Sequence, residues 1–277
     1  MSYRTVRARL KAAHTGAKSF LVRRFRSYGP QELEAALRGL GIAEGDTLLV
    51  HAAFTPLSGF SGTPQELIER VGRILGSDGN LLMMSMAYTS SAHAYLKRGE
   101  PFDVRRTMSR MGLVTEVFRR RRDVHRSLNP VHPVLARGPR AEWLVADHDA
   151  TPFSCGDDTP IERLARLGGR ILLFDVSYIT ATFLHHLEHR FRDRLPVKVY
   201  HDEMLEATVV AADGTVRRLK THVFEPTTAR ARDRVWLDLE AEFGRRGALR
   251  TGRLGNTDLM LMDTRRLIGS AAELLPR

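Results

Sequence analysis

Three short apolar runs alternate with longer amphipathic segments, and this alternation constrains the fold more than any other feature of the chain. The runs cover residues 47–51, 81–86 and 170–174. Each has the length of a buried strand and is too short for a typical helix. Capping boxes, with threonine, then proline, then glutamate at the third position, begin helices at Thr63 and Thr159. The pattern predicts an α/β fold with a central, mostly parallel sheet flanked by helices.

The region near residues 197–223 departs from this alternation and predicts an antiparallel hairpin insertion. Residues 197–200, 207–211 and 216–223 have strand-like sequences, and Asp213-Gly214 is a strong hairpin turn. The remaining predicted elements are helices over 111–120, 139–146, 229–243 and 264–275, and a strand over 248–254.

Residues 1–28 differ in character from the rest and predict a basic N-terminal helical segment, followed by a single α/β domain over 29–277. Arginine and lysine alternate there with apolar residues, and Gly29-Pro30 ends the segment. Two interpretations remain open. The segment either packs on the domain or makes a peripheral contact with an anionic membrane or partner.

Composition excludes several classes of protein. The formal net charge is +11, but the arginines are dispersed without an aromatic-basic motif, so we expect no nucleic-acid partner. No apolar run reaches the roughly 20 residues of a membrane span. Cys155 is the only cysteine, so no intramolecular disulfide can form, and we expect a cytoplasmic protein. We expect a passive thiol at Cys155, since nothing around it predicts a nucleophile.

The stretch from Thr180 to His189 carries the strongest chemical pattern. Thr180 is a predicted N-cap, and His185 and Glu188 share one face of the helix that follows. A histidine beside a carboxylate, near the start of a helix after a buried strand, suits a general base. Two alternatives stay open. The stretch is an ordinary amphipathic helix, or His185, Glu188 and His189 form the inverted zinc-peptidase pattern of a hydrolase.

Several segments, in order, resemble the aminoglycoside 3-N-acetyltransferase family, which moves an acetyl group from acetyl-CoA to an amine. The resemblance spans roughly residues 30 to 275. The matching segments lie at 40–51, 62–67, 101–103, 109–116, 126–132, 182–188 and 252–256.

The resemblance implies both a mechanism and a set of site residues. It implies direct transfer of an acyl group from acetyl-CoA, or another acyl-CoA, to an amine, with His185 as the base and Glu188 as its carboxylate. It implies no metal. The residues that it assigns to the donor-binding cleft are Ser109, Met111, Gly112, Arg126 and Ser127, with His51 and His132 as secondary candidates.

The chain departs from the family pattern at the donor side. The family's His-Ser-Ser-Leu reads His51-Ala52-Ala53-Phe54, so two hydroxyls that hold CoA are missing. Its His-Pro-Thr-His-Ser reads as residues 129–133 with Val131 in place of threonine, and the asparagine before the histidine segment is Ala181. These changes leave open weaker CoA binding, another acyl group, or a non-catalytic or alternative-donor protein in glycan or natural-product biosynthesis.

The net charge of the chain affects which acceptor substrates it attracts. Aminoglycosides are polycations, and the net charge of +11 repels them, whereas an amino sugar on an anionic or nucleotide-linked carrier is attracted. This favours a biosynthetic role over antibiotic resistance. A local acidic pocket would reverse the argument, and Asp157, Asp158, Asp175 and Glu188 are its candidates. The sequence also permits a homodimer.

Overall fold

The computed structural model describes residue 16, residues 18–22 and residues 24–276. A central sheet holds seven strands in the order β4-β5-β2-β1-β6-β10-β9. Its strands are β1 (Thr47–Ala52), β2 (Asn80–Met84), β4 (His125–Arg126), β5 (Val134–Arg137), β6 (Arg170–Phe174), β9 (Leu249–Leu254) and β10 (Thr257–Asp263). A smaller sheet holds β3 (Phe102–Asp103), β7 (Leu205–Val210) and β8 (Val216–Thr221). The α/β class predicted from the sequence is therefore observed.

The central sheet is mixed, so the prediction of a mostly parallel sheet is wrong in its detail. Only β1 pairs in parallel, with β2 on one side and β6 on the other. The pairs β2–β5, β4–β5, β6–β10 and β9–β10 are antiparallel. Short connections join two of these antiparallel pairs, β4–β5 and β9–β10, and the second is a two-residue turn with Gly255 at φ 59. The other two pairs, β2–β5 and β6–β10, are joined through long segments that contain helices.

The predicted hairpin is present, but its boundaries differ. β7 and β8 are antiparallel, from Leu205 opposite Thr221 to Val210 opposite Val216, and β7 also pairs in parallel with β3. The predicted strand at 197–200 is wrong. Only Tyr200 forms an isolated antiparallel bridge, with Phe224, because the chain bends away immediately afterwards.

Helices cover both faces of the central sheet. Alternate residues along each inner strand face opposite cores: Leu49 and Leu173 belong to one core, and Leu48 and Leu172 to the other. The helices are α1 (Pro30–Leu40), α2 (Pro64–Leu75), α3 (Ala92–Leu96), α4 (Leu113–Arg119), α5 (Ala141–Val145), α6 (Pro160–Arg166), α7 (Phe183–Arg190), α8 (Ala229–Arg245) and α9 (Thr264–Leu274). Buried residues of α1, α2 and α4 fill one core, and those of α5 to α9 fill the other.

Helix starts follow local capping chemistry. The capping box at Thr63 is complete, because the Thr63 hydroxyl accepts from the Glu66 amide and the Glu66 carboxylate accepts from the Thr63 amide. At Thr159 only the threonine half forms. Thr180 is not an N-cap. It closes a short 3₁₀ turn and donates to the Ser177 carbonyl, and α7 begins three residues later.

The N-terminal segment predicted over residues 1–28 lies mainly outside the described residues. Residues 18–22 and 24–25 are helical, with Phe20 and Phe25 exposed. In the described part of the chain, no helix combines the length and the apolar character needed to cross a membrane.

Candidate active site

The site lies at the carboxyl end of β2, where the inner parallel strands end. Met84 at the end of β2 pairs with Val134 at the start of β5, so the segments after β2 and before β5 meet there. Together with α7 and the start of α8 they enclose a cavity of about 350 Å³. Side chains from all four regions line it, among them Tyr88, His132, His185 and Arg232.

His185 presents one ring nitrogen to this cavity and uses the other to hold a carboxylate. Its Nδ1 lies 2.7 Å from Glu188 Oε2, one helical turn along α7. Glu188 is an acceptor when ionised, so Nδ1 carries the hydrogen and Nε2 is the nitrogen left to accept a proton. About a third of the His185 side chain is exposed, whereas Glu188 is 2% exposed. The pair predicted from the sequence is therefore formed.

Two partners from α8 keep the buried Glu188 carboxylate charged. Arg232 Nε lies 3.3 Å from Glu188 Oε1, and Trp236 Nε1 donates to the same oxygen at 3.2 Å. Burial by itself raises the pKa of Glu188, but His185, Arg232 and Trp236 together bring that pKa below its ordinary value. The carboxylate is thus an anion that accepts hydrogen bonds from His185 and Trp236 and pairs with the charge of Arg232.

Phe224 and Arg232 restrict the His185 ring from the other side. The rings of His185 and Phe224 stack with centroids 4.2 Å apart, and the Arg232 guanidinium lies over Phe224 at 5.5 Å. Arg232 also donates to the Glu225 carbonyl and to Thr228 Oγ1. The imidazole orientation is therefore set both by a hydrogen bond and by a ring contact.

A second imidazole, that of His132, lines the same cavity. Its Nδ1 lies 2.7 Å from Ser154 Oγ, and its ring centroid is 5.3 Å from that of His185. Burial, and then the neighbouring His185 and His148, lower the pKa of His132 well below its ordinary value. His132 is therefore neutral near pH 7 and can only offer a hydrogen bond, not a positive charge.

The residues that the resemblance assigned to donor binding do not all line the cavity. Met111 lines the cavity with His132. Gly112 lies close by at the start of α4, at φ 102, where an added Cβ would meet the Ala52 carbonyl oxygen at 3.8 Å. His51 is placed apart from the cavity lining. Its Nε2 is buried with no hydrogen-bond partner among the described residues, and burial lowers its pKa to about 4.

In three further residues predicted for the donor site, the polar side-chain atoms form hydrogen bonds to other groups of the protein. Ser109 Oγ accepts from the Met111 amide, and Ser127 Oγ accepts from the Val134 amide and contacts His148 Nδ1. The Arg126 guanidinium donates to the carbonyls of Ser85, Val104 and Thr107. In this structure these side chains join the segments around the cavity to one another.

A cationic cavity of about 710 Å³ adjoins this region. Arg126 lines it and bonds to the Ser85 carbonyl, and the next residue, Met86, lines the His185 cavity. The other basic residues of this cationic cavity are Arg105, Arg119, Arg120, Arg121, Arg122 and His125. Glu116 pairs with Arg119 and Arg120, but Arg122 has no ion-pair partner within the described ranges. The run of arginines is thus partly free to bind an anion.

The zinc interpretation finds no support in the geometry. His189 Nδ1 bonds to the Tyr200 hydroxyl, and its ring packs against Phe153. His185 Nδ1 is taken by Glu188. Among the residues that the structure describes, no group of three or more histidine, cysteine, aspartate and glutamate side chains is arranged to hold a metal ion. Cys155 is buried, and burial raises the pKa of its thiol, as expected for a passive residue.

Sequence reasoning missed Arg232, Trp236 and Phe224. These residues lie between 36 and 48 positions from Glu188, outside any local motif. An arginine and a tryptophan four residues apart on a helix share a face, which was the one signal available for two of them.

Known proteins of one family are similar to this chain in sequence. Residues 49–276 match the family model described as aminoglycoside 3-N-acetyltransferase. The chain is 32% identical over 170 residues to aminoglycoside N(3)-acetyltransferase VIII of Streptomyces fradiae, covering 56% of this chain and 58% of that protein. It is 28% identical over 166 residues to aminoglycoside N(3)-acetyltransferase III of Pseudomonas aeruginosa, covering 56% and 61%. These alignments span about three fifths of each relative.

A solved structure, AAC-IIIb in a binary complex with CoASH, shares the fold over most of the chain. Its TM-score is 0.75 at 25% sequence identity, and the match covers 89% of this chain and 95% of that one.

Proposed function

The chain belongs to the aminoglycoside 3-N-acetyltransferase family, and we propose that it transfers an acyl group, most simply acetyl from acetyl-CoA, to an amine of an amino sugar or related small molecule. The observation that carries the proposal is the contact between His185 Nδ1 and Glu188 at the wall of a cavity. The relative AAC-IIIb, solved with CoASH, supports the choice of donor.

His185 is the proposed general base. The acceptor reacts as the neutral amine, after its ammonium form has released one proton to solvent. His185 Nε2 then accepts the second proton, which the amine nitrogen gives up as it attacks the thioester carbon. The new C–N bond forms and the C–S bond breaks, so the products are an amide and the CoA thiolate. The proton held on His185 then neutralises that thiolate.

Glu188 is the proposed orienting residue. When His185 becomes an imidazolium, the buried carboxylate 2.7 Å away stabilises the new charge. Arg232 keeps the carboxylate ionised beforehand, which avoids a reorganisation during the reaction. His132, neutral and 5.3 Å from the His185 ring, is in position to donate a hydrogen bond to the substrate.

The cationic cavity is the proposed site for the phosphates of the donor. CoA carries a diphosphate and a 3′-phosphate, and guanidinium groups bind phosphate oxygens strongly. Because Arg126 connects this cavity to the segment that leads into the His185 cavity, a donor anchored by its phosphates there would extend its acyl end towards His185. This arrangement does not depend on the hydroxyls absent at Ala52 and Ala53.

The test is the His185→Ala variant, measured for turnover and for donor affinity. We expect kcat to fall by roughly two to four orders of magnitude, the usual contribution of a general base. We expect the Kd of acetyl-CoA, from calorimetry, to stay within about threefold, because His185 lies away from the cationic cavity. The matched control, His201→Ala, removes an imidazole outside the cavity lining.

Two outcomes would contradict the proposal. Wild-type kcat in the His185→Ala variant would remove His185 from the mechanism. If the wild-type protein fails to bind acetyl-CoA, the chain is instead a non-catalytic or alternative-donor member of the family, the second interpretation that the missing hydroxyls support.

A further inference from the structure

The His185 cavity contains no carboxylate of its own. Its thirteen described lining residues include hydroxyl, aromatic, aliphatic and basic side chains, but neither aspartate nor glutamate. Arg232 adds a fixed positive charge to the lining, and the two histidines, His132 and His185, add no negative charge. A site that binds a polycation needs fixed negative charge to replace the water lost by each ammonium group. This cavity offers no such charge at its surface.

The acidic residues that might have supplied a charge lie outside the cavity lining. Asp158 pairs with Arg166 at 2.7 Å, and Asp175 lies at the end of β6 beside Asp258. Neither these two nor Asp157 lines the cavity. The acidic pocket suggested by the sequence is therefore not formed.

Glu188 contributes little net charge to the cavity. It is 2% exposed and accepts from His185 and Trp236, and its charge is offset by the guanidinium of Arg232. Asp233 is another carboxylate that influences His185 electrostatically, but it is exposed and lies outside the lining. Together these groups leave the surroundings of His185 without the excess of negative charge that would attract several ammonium groups.

The side chains that line the His185 cavity instead suit an acceptor whose carbon frame, apart from its reacting amine, is uncharged. Tyr88 and Phe224 line the cavity with aromatic rings, although Phe224 also stacks on His185 and Tyr88 on Tyr95. Thr89 and Ser90 offer hydroxyls at the exposed rim. Rings and hydroxyls recognise sugar or aromatic frames and can contact a single ammonium, but they carry no negative charge to offset several ammonium groups. The net charge of +11 adds a long-range repulsion of polycations.

We propose that the acceptor is a monoamine, in which one primary amine is carried on an uncharged hydroxylated or aromatic frame, and that the site selects against polyamino aminoglycosides. The inference rests on the proposed acyl transfer at His185. It separates this chain in substrate class from the relatives whose names carry the word aminoglycoside.

The test compares glucosamine and tyramine with kanamycin. We expect kcat/KM with acetyl-CoA to be at least about tenfold higher for the better monoamine than for kanamycin. The reason is that each additional ammonium of kanamycin finds no carboxylate in the cavity and so lacks the stabilisation of a surface ion pair. Binding of the same amines is measured by calorimetry with CoA present, so the comparison does not depend on turnover.

Added carboxylates should reverse the preference. Ser90→Asp places a charge at the exposed rim, and Ala229→Glu places one at the first residue of α8, where the helix dipole favours it. We expect each to improve kanamycin relative to the monoamine by about three- to fivefold, the range of an exposed ion pair. Ser90→Asn and Ala229→Gln are matched controls without charge, and should leave the ratio within about twofold.

The outcomes distinguish this inference from the proposed function. If kanamycin is acetylated or bound as well as the monoamines, the inference is wrong and acyl transfer stands. If neither monoamine binds, the inference is also wrong. If the monoamine binds more tightly than kanamycin but no amine is acetylated, the selectivity holds and the proposed reaction fails.

Discussion

The Glu188→Gln substitution probes the centre of the site, because it keeps the size of the side chain and removes its charge. Glu188 Oε2 lies 2.7 Å from His185 Nδ1. Charges about 4 Å apart attract by about 4 kcal/mol at an effective dielectric of 20. Arg232, 3.3 Å from the other oxygen, already offsets part of that attraction. A loss of about 2 to 3 kcal/mol of transition-state stabilisation remains, which lowers kcat roughly 30- to 150-fold.

The same substitution has a separate cost in stability. Arg232 is 4% exposed, and Glu188→Gln leaves its charge without a carboxylate. Breaking a buried pair costs about 3 kcal/mol, and the bonds that Arg232 keeps to Glu225 and Thr228 hold the cost near or below that value. Adding Arg232→Met removes the unpaired charge, so the double variant should recover most of the lost stability.

The turnover number and the free energy of unfolding should therefore respond differently to these substitutions. We would measure kcat at saturating acetyl-CoA and monoamine, and the free energy of unfolding in urea, for Glu188→Gln, Arg232→Met and the double variant. Stability should show strong coupling between the two positions, whereas kcat should stay low whenever Glu188 is absent. A folded Glu188→Gln protein with kcat within about twofold of wild type would refute the reasoning and leave Glu188 a structural role alone.

Two further predictions concern acid stability and the donor. Burial lowers the pKa of His51 and of His148 to about 4, whereas both titrate near 6.5 in the unfolded chain, so the unfolded state binds more protons between these values. The free energy of unfolding should therefore fall as pH drops from about 6.5 to 4, by roughly 3 kcal/mol for each histidine, and a flat profile in urea titrations across this interval would contradict it. Ala53→Ser restores a family hydroxyl just after β1 and should tighten acetyl-CoA binding about three- to tenfold, the net value of one hydrogen bond. Calorimetry measures this affinity, and an unchanged value would place the donor away from residue 53.

Sequence patterns predicted the strands of the inner sheet because each strand coincides with one local run of apolar residues. The apolar runs of β1, β2 and β6 are each a whole strand, and Thr63 caps α2 through contacts three residues away. The outer strands escaped prediction where they are short: β4 has two residues and β5 has four. Whether a strand runs parallel or antiparallel depends on its neighbour in space, so the mixed character of the sheet had no local signal.

The candidate site was likewise predictable from the sequence only in part. The sequence by itself determined the contact between His185 and Glu188, because helical geometry brings residues three apart onto one face. Only the tertiary structure decided what surrounds that pair: Arg232 and Trp236 on the carboxylate, Phe224 on the ring, and a cavity without carboxylates at its surface. The physical reason is that a charge or a hydrogen bond acts through distance in space, and chain folding sets that distance for residues far apart in sequence.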